Sequence, residues 1–425
     1  MPNRYILPWA NHFHSRAAMS FSFASADESV ATPSLLIVGA GVGGLAVARL
    51  CASSWRVTVV ERDDRVGGLA STVACSGGGT VELGPSHHLS SHKNLRALLE
   101  YGEPSSPEKV FGRSDETLHC EEAGPDLLTL SSVAREERDA LSREKKPSRK
   151  CVPWADETGA FSVADAASGA KASDGAQRLT ARLGYQKTFD LVRQRLALEE
   201  GVRFVLGTRV TTLSRRGDKF FVGTDASVTL SSFDAVVLAC PPGALRRLRL
   251  PREVRALVPS AFETVPVASR RTVLCFRRVP SALRGLMVPG THYSSDVDGD
   301  RGFGWAVVLS PTVLLLSYVD GTRAEKQLSG EVPLADVVSS FLSSLRRQGL
   351  VRVCLTTEEL LENADVHVGG SSHAFHVPGD GEAKPQNDRV FFVGEAYGPV
   401  PLRAWMEAAC VSAVFASRAL RKLLV

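Results

Sequence analysis

One stretch constrains this chain more than any other: Gly39-Ala40-Gly41-Val42-Gly43-Gly44, set between an apolar run and a helix-forming run. The preceding Leu35-Leu36-Ile37-Val38 is continuously apolar, as expected of a strand buried on both faces of a parallel sheet. Residues 42–52 read as helix, and Arg56-Val57-Thr58-Val59-Val60-Glu61 is β-branched and strand-like. Together they form a βαβ unit. Gly39, Gly41 and Gly44 satisfy G-x-G-x-x-G, with Gly43 in the same turn, and Glu61 lies 22 positions after Gly39. The glycines permit a tight turn and close approach of backbone to a pyrophosphate. The helix N-terminus offers unpaired N–H groups and partial positive charge. Glu61 is placed to accept hydrogen bonds from ribose hydroxyls. The pattern predicts an α/β chain with a Rossmann-type dinucleotide site.

The residues just after Glu61 narrow the dinucleotide. The run Glu61-Arg62-Asp63-Asp64-Arg65-Val66-Gly67-Gly68-Leu69 holds a second glycine pair, which the simple nicotinamide fingerprint lacks. It resembles the R-x-G-G motif of flavoproteins of the amine oxidase superfamily. The resemblance places Arg62, Arg65, Gly67, Gly68 and Leu69 near the FAD phosphates and ribityl chain. Arginine's planar fork suits phosphate.

Later segments resemble the same family in the same order. Val81-Glu82-Leu83-Gly84-Pro85 is similar to its E-x-G strand end, which puts Gly84 and Pro85 beside the flavin ring. Gly207-Thr208-Arg209-Val210 resembles the segment whose valine backbone holds adenine. Residues 234–242 resemble the strand returning to the flavin domain, and Val390-Phe391-Phe392-Val393-Gly394-Glu395-Ala396 resembles the C-terminal motif, where Gly394 and Glu395 approach the ribityl hydroxyls. Ala404-Trp405-Met406-Glu407-Ala408-Ala409 is similar to G-W-x-E-G-A, with Trp405 and Met406 at a helix N-terminus that faces the flavin. Both glycines of that motif are alanines here, which predicts slight crowding. Val313 to Gly321 is similar to the S-Y-x-D-G strand of amino-acid-oxidase-like members. The resemblance implies hydride transfer from a C–N carbon of an amine or amino acid to FAD, with oxygen as acceptor.

The substrate side departs from the family. Where monoamine oxidases keep a lysine near the flavin, the local alignment places Thr272, with Arg271 before it. Arg271 reads as a candidate catalytic residue that binds a carboxylate or water; the alternative is a strand-edge arginine facing solvent. His87 stands near the position of a carboxylate-gripping arginine, and is either a polar gate and proton donor or a structural histidine. Phe375 and Trp405 read as an aromatic wall for substrate, or as core. His367, His373 and His376 lack an acid cluster, so no metal is expected. Monoamine oxidases tether flavin through a cysteine in S-G-G-C-Y. Here Ser371 stands at that place, which predicts non-covalent FAD. A C–C desaturase, a protoporphyrinogen-oxidase-like enzyme and a flavin-binding protein without turnover remain alternatives on the same frame.

The 425 residues suggest two to three domains of about 150 each. The expected division is an extension at 1–32, an FAD domain from 33–100, 200–262 and 385–425, a helical and partly flexible subdomain at 101–199, and a substrate domain with mixed or antiparallel sheet at 263–384. A balance of 50 Lys+Arg against 46 Asp+Glu argues against a nucleic-acid binder. No apolar run reaches transmembrane length. The eight cysteines are scattered singly, Cys275 within an apolar run, and read as small core residues in a reducing compartment. Residues 1–26 carry Arg4 and Arg16 but no acid, which fits either an organelle transit peptide or a disordered extension of a cytoplasmic protein. Oligomeric state leaves no trace in the sequence.

Overall fold

The computed structural model describes residues 32–76, 78–103, 108–109, 117–121, 178–226, 230, 232–257, 265–289, 291–295, 302–351, 355–377, 389–398 and 405–424. The expectations for 1–31 and for most of 101–177 lie outside these residues. Residues 33–425 form one compact unit.

Its first half is built on a five-stranded sheet. Ser34–Val38 lies at the centre, flanked by Arg56–Val60 and Ala235–Leu238, with Val202–Val205 and Val390–Phe392 outermost, all parallel. Leu35, Leu36 and Ile37 are fully buried, as continuous apolarity requires of a strand covered on both faces. The helices Val42–Cys51 and Met406–Lys422 cover one face, packing Leu45, Cys51, Ala413 and Leu420 into a shared core.

The second half is a six-stranded sheet. Val265–Phe276 sits between Ala364–Val377 and Val313–Asp320, both antiparallel to it. Gly304–Ser310, Thr291–Ser295 and Thr117–Glu121 complete the order. Helix Leu334–Arg347 buries Val337, Val338, Phe341 and Leu345 into the core beneath this sheet.

Three boundaries differ from the sequence reading. The helix expected at 188–198 runs from Tyr185 to Leu196. Its first N–H groups find side-chain acceptors far away in sequence: Glu82 takes the Tyr185 N–H at 2.8 Å and Thr72 the Gln186 N–H at 3.0 Å. The strand expected at 272–276 begins at Val265, because the neighbouring strand Ala364–Val377 extends the ladder as far as Val265↔Val377. The helix expected from residue 332 begins at Leu334, after Pro333 at its N-cap.

The cysteine reading needs correction. Cys75 and Cys275 form a disulfide, with Cα atoms 5.4 Å apart and 200 residues between them in sequence. They join the turn after the strand Thr72–Ala74 to the substrate-side sheet. No local spacing signals such a pair; only the packing of one half on the other creates it. Cys51, Cys240 and Cys410 are free. Among the described residues no helix is long and apolar enough to cross a membrane.

Candidate flavin and substrate site

The glycine turn divides its work between packing and space. Gly39 has φ +106°, and a Cβ there would sit 2.5 Å from the Ala239 carbonyl oxygen. A Cβ on Gly44 would collide with the Gly39 carbonyl. One on Gly43 would reach 2.8 Å from Val393 Cγ1 and 3.5 Å from the Gly394 nitrogen. These three glycines serve the fold itself. Gly41 is different: an added Cβ would meet nothing nearer than the Gly68 Cα at 3.9 Å. The protein does not need that space for its own atoms. Gly41 is also the N-cap of Val42–Cys51, with no side-chain cap and no acid in the first turn, so the helix end keeps its positive field.

The second turn is folded back onto the first. Gly41 and Gly67 form a β-bridge, and Gly67 N–H donates to Ala40 O at 2.9 Å. Gly67 and Gly68 both have positive φ, +98° and +63°. Arg65 braces this turn: Nη1 donates to Ala70 O at 2.7 Å and Gln186 Oε1 at 2.6 Å, and Nη2 to Gly68 O at 2.9 Å. The structure thus gives the Arg65 fork to backbone carbonyls, where a phosphate was expected. Arg62 is 56% exposed and paired with Asp63 at 2.8 Å, on the outer surface. Leu69 is exposed, and its carbonyl occupies the place a Gly84 Cβ would take, so Gly84 and half-buried Pro85 run directly along this turn.

Glu61 is held by two backbone donors, Ala40 N–H on Oε2 at 2.7 Å and Asp63 N–H on Oε1 at 3.0 Å. Each oxygen keeps a lone pair for a further donor. Thr208 N–H donates to Glu61 O, which brings the segment leading to buried Val210 alongside it. Gly394, with φ +151°, donates its N–H to Ser412 Oγ at 3.1 Å, and half-buried Glu395 opens the short helix after it. Four separated segments thus surround Gly41 and Gly43. The bare cradle, the uncapped helix and the anchored carboxylate fit a dinucleotide such as FAD.

Trp405 is the half-buried N-cap of Met406–Lys422, followed by buried Met406. His87 and His92 meet its ring edge-to-face, at 5.5 Å and 5.0 Å between centroids. The structure therefore brings His87 and Trp405 together. His88 is fully buried and its Nδ1 lies 2.7 Å from Tyr185 Oη. Burial pushes the His88 and His92 imidazoles down to about 4. The crowding expected from the two alanines does not arise at Ala408. It is fully buried, and a Cβ on Gly398 would lie 2.7 Å from its methyl, so Gly398 supplies the room. Ala404 lies outside the described residues.

Arg271 is only 8% exposed, with its guanidinium 4.8 Å from the Tyr318 ring centroid. That overturns the reading of a solvent-facing strand-edge arginine. Its strand partners are Tyr318 and Gly369. The Leu83 side chain and carbonyl stand where a Gly369 Cβ would be, so the flavin-side strap touches the sheet at the Arg271 row. Phe375 pairs with Val267 instead, six positions along the strand from Gly369. At about 3.3 Å per residue, that places its backbone roughly 20 Å from this row. Its side chain, like those of His373 and His376, lies outside the described part of the molecule. Among the described residues no group of His, Cys, Asp or Glu could hold a metal.

Two acids were passed over in the sequence. Glu407 is 4% exposed and caps the helix Lys93–Gly102, accepting from Asn94 Nδ2 at 2.7 Å and Leu95 N–H at 2.7 Å. Glu82 accepts from Thr72 Oγ1 and Tyr185 N–H, and burial raises its carboxyl to about 7 against the lowering field of Arg271. Both occur inside the quoted motifs, but their partners are distant in sequence.

Comparison with known proteins agrees with this geometry. A model of NAD(P)-binding Rossmann-like domains matches residues 37–101, and one of flavin containing amine oxidoreductases matches residues 130–420, more than half the chain. The chain belongs to the flavin-containing amine oxidoreductase family. It is a flavin-dependent oxidoreductase, and the family's cofactor is FAD. A Burkholderia lata tRNA 5-methylaminomethyl-2-thiouridine biosynthesis bifunctional protein, MnmC, is 28% identical over 285 residues, 63% of this chain and 41% of that protein. A Rhodobacter capsulatus phytoene desaturase (neurosporene-forming) is 51% identical over 51 residues, 12% of this chain and 10% of that one. The chain thus spans under half the length of either relative. Among solved structures, an Exiguobacterium sp. 255-15 protein assigned as a protoporphyrinogen oxidase superposes with TM-score 0.59 at 17% identity, over 92% of this chain and 99% of its own. That likeness concerns the fold.

Proposed function

We propose that this oxidoreductase removes hydride from a carboxylate-bearing amine or amino acid, with oxygen as acceptor. The observation that carries this reading is Arg271: a buried arginine in the substrate-side sheet, at the row where the Leu83–Gly84 strap meets it. A buried cation is costly unless something anionic meets it, and its main acidic neighbour, Glu82, titrates near neutrality. Arginine's fork matches a carboxylate. An uncharged polyene gives such a residue no partner. A porphyrinogen-type substrate, which carries carboxylates, is the second reading, favoured by the fold likeness above.

FAD, when bound, supplies the hydride acceptor. In this reading Gly41, Gly43, Gly67 and Gly68 leave room for its pyrophosphate and ribityl chain. Glu61 takes ribose hydroxyls, and Val210 and Glu395 line its two ends. Arg65 braces the turn that receives it. Trp405 and His87 form a wall of the substrate side, where His87 orients a polar group. FAD is held without a covalent bond, since Ser371 is a poor nucleophile at neutral pH.

Anaerobic bleaching of the bound flavin tests the reading against matched pairs of amino acids and their decarboxylated amines, plus a porphyrinogen. Bleaching by amino acids, with Arg271→Lys losing the acid far more than the amine, supports it. Bleaching only by porphyrinogen selects the second reading, and bleaching only by a polyene overturns both. Acid precipitation should release all yellow colour into the supernatant; colour in the pellet overturns the non-covalent assignment.

A further inference from the structure

Glu82 occupies a junction of three elements. It pairs with Thr72 across the hairpin of Thr72–Ala74 and Thr80–Glu82. Thr72 Oγ1 lies 2.9 Å from Oε1 and 3.0 Å from Oε2, and Tyr185 N–H lies 2.8 Å from Oε1. The charged group facing it from the substrate-side sheet is Arg271. The titratable group facing it from the helix Tyr185–Leu196 is Tyr185, whose fully buried phenol is held well above its ordinary range and stays neutral. Oε1 therefore takes two donors, while Oε2 shares only the Thr72 hydroxyl among the described contacts, leaving lone pairs for a guanidinium.

The geometry points to Glu82 as a positioning residue that competes with a substrate carboxylate for Arg271. This rests on the proposed role of Arg271. Ionised, Glu82 holds the guanidinium by charge against the hairpin. Protonated, it offers no charge, and Arg271 is left for an incoming anion. Burial that lifts the carboxyl to about 7 puts the changeover within reach of neutral conditions. Thr72 and Tyr185 keep the acid in place in both states, because a protonated carboxyl still accepts on its carbonyl oxygen. Substrate binding should then be coupled to uptake of one proton above the changeover.

The test uses the FAD-loaded protein and benzoate, a carboxylate that stays ionised throughout, followed by the flavin absorbance change between pH 6 and 8. Wild type should bind with near-constant affinity below pH 7 and about tenfold more weakly at pH 8, the slope of one linked proton. Glu82→Gln should bind equally at both ends, about tenfold more tightly than wild type at pH 8. Glu82→Asp, which keeps the charge, should keep a slope and answers should the Gln variant fail to fold. A flat wild-type profile, or an unchanged slope in Glu82→Gln, overturns the proposal. A second readout needs no ligand: the infrared carboxylic-acid C=O band that Glu82→Gln removes should titrate near pH 7 and move upward in pH in Arg271→Met. A midpoint unmoved by Arg271→Met overturns the coupling. If benzoate binds to neither protein but the midpoint moves, the carboxylate reading of Arg271 fails while the Glu82–Arg271 coupling stands.

Discussion

The parallel-sheet half and the antiparallel-sheet half of this protein are built by different rules. In the first, the parts that matter are close in sequence: the turn 39–44, Glu61 and the second turn 65–69 fall within a single βαβ unit and its continuation. Their contacts are mostly backbone to backbone, such as Gly67 N–H to Ala40 O. In the second, each important contact joins distant segments: Cys75 to Cys275, Tyr185 to Glu82, and the Leu83–Gly84 strap to Gly369. Backbone geometry demands particular residues, chiefly glycine, so it leaves a motif. Side-chain junctions across a sheet tolerate many solutions and leave none.

The comparison can be tested first within the turn itself. Gly44→Ala should be the most damaging single change considered, since its methyl collides with the Gly39 carbonyl. Overpacking of rigid backbone costs about 3 kcal/mol, and a lowered melting temperature even without FAD is expected. Gly41→Ala should melt near wild type without FAD yet lose flavin affinity, because only the cradle is filled. Equal loss of apo stability in both variants would show that Gly41 serves packing after all.

Glu407→Ala probes the long-range rule. It removes a buried carboxylate that caps Lys93–Gly102, and strong charge-assisted bonds of this kind contribute about 1.5–3 kcal/mol. Differential scanning calorimetry should show a destabilisation of that size, with Glu407→Gln intermediate. An unchanged transition would mean the helix end finds another acceptor.

Glu61→Ala should weaken FAD by roughly tenfold to over a hundredfold, about 1.5–3 kcal/mol for a charge-assisted bond to ribose. Flavin fluorescence titration measures it, and parent-like affinity would remove Glu61 from the site.

Acid stability separates the halves in another way. His88 and His92, depressed to about 4, favour the fold above their ordinary value of 6.5 and withdraw that support as pH falls from 6.5 toward 4. Such linkage is worth at most about 1.4 kcal/mol per pH unit for each group. Glu82 acts oppositely: raised to about 7, it favours the fold most below 4.5 and loses that contribution as pH rises from 4.5 to 7. Melting temperature should therefore drop less on acidification in His88→Gln than in wild type, and more in Glu82→Gln. An unchanged acid slope in His88→Gln would mean the imidazole is not held neutral.

The smallest effect belongs to Arg62→Ala. Its ion pair with Asp63 is on the surface, where such pairs contribute about 0–1 kcal/mol. FAD affinity within twofold of wild type is expected, and a larger loss would restore Arg62 to the cofactor site.

By itself, the sequence determined the parallel half nearly residue by residue. A buried strand must be continuously apolar, a phosphate turn must be glycine, and both requirements are local. It also placed Arg271 on a substrate-side strand, but could not tell whether the side chain met solvent or the interior. That depended on Tyr318, reached through strand pairing, and on Glu82, reached through packing of the hairpin. The same held for Arg65. Its type suggested phosphate, yet the carbonyls of Gly68 and Ala70 and the amide of Gln186 lie within its reach only once the turn is folded. An arginine or a carboxylate is chemically competent for many partners. Which one it takes is decided by distances that only the tertiary structure sets.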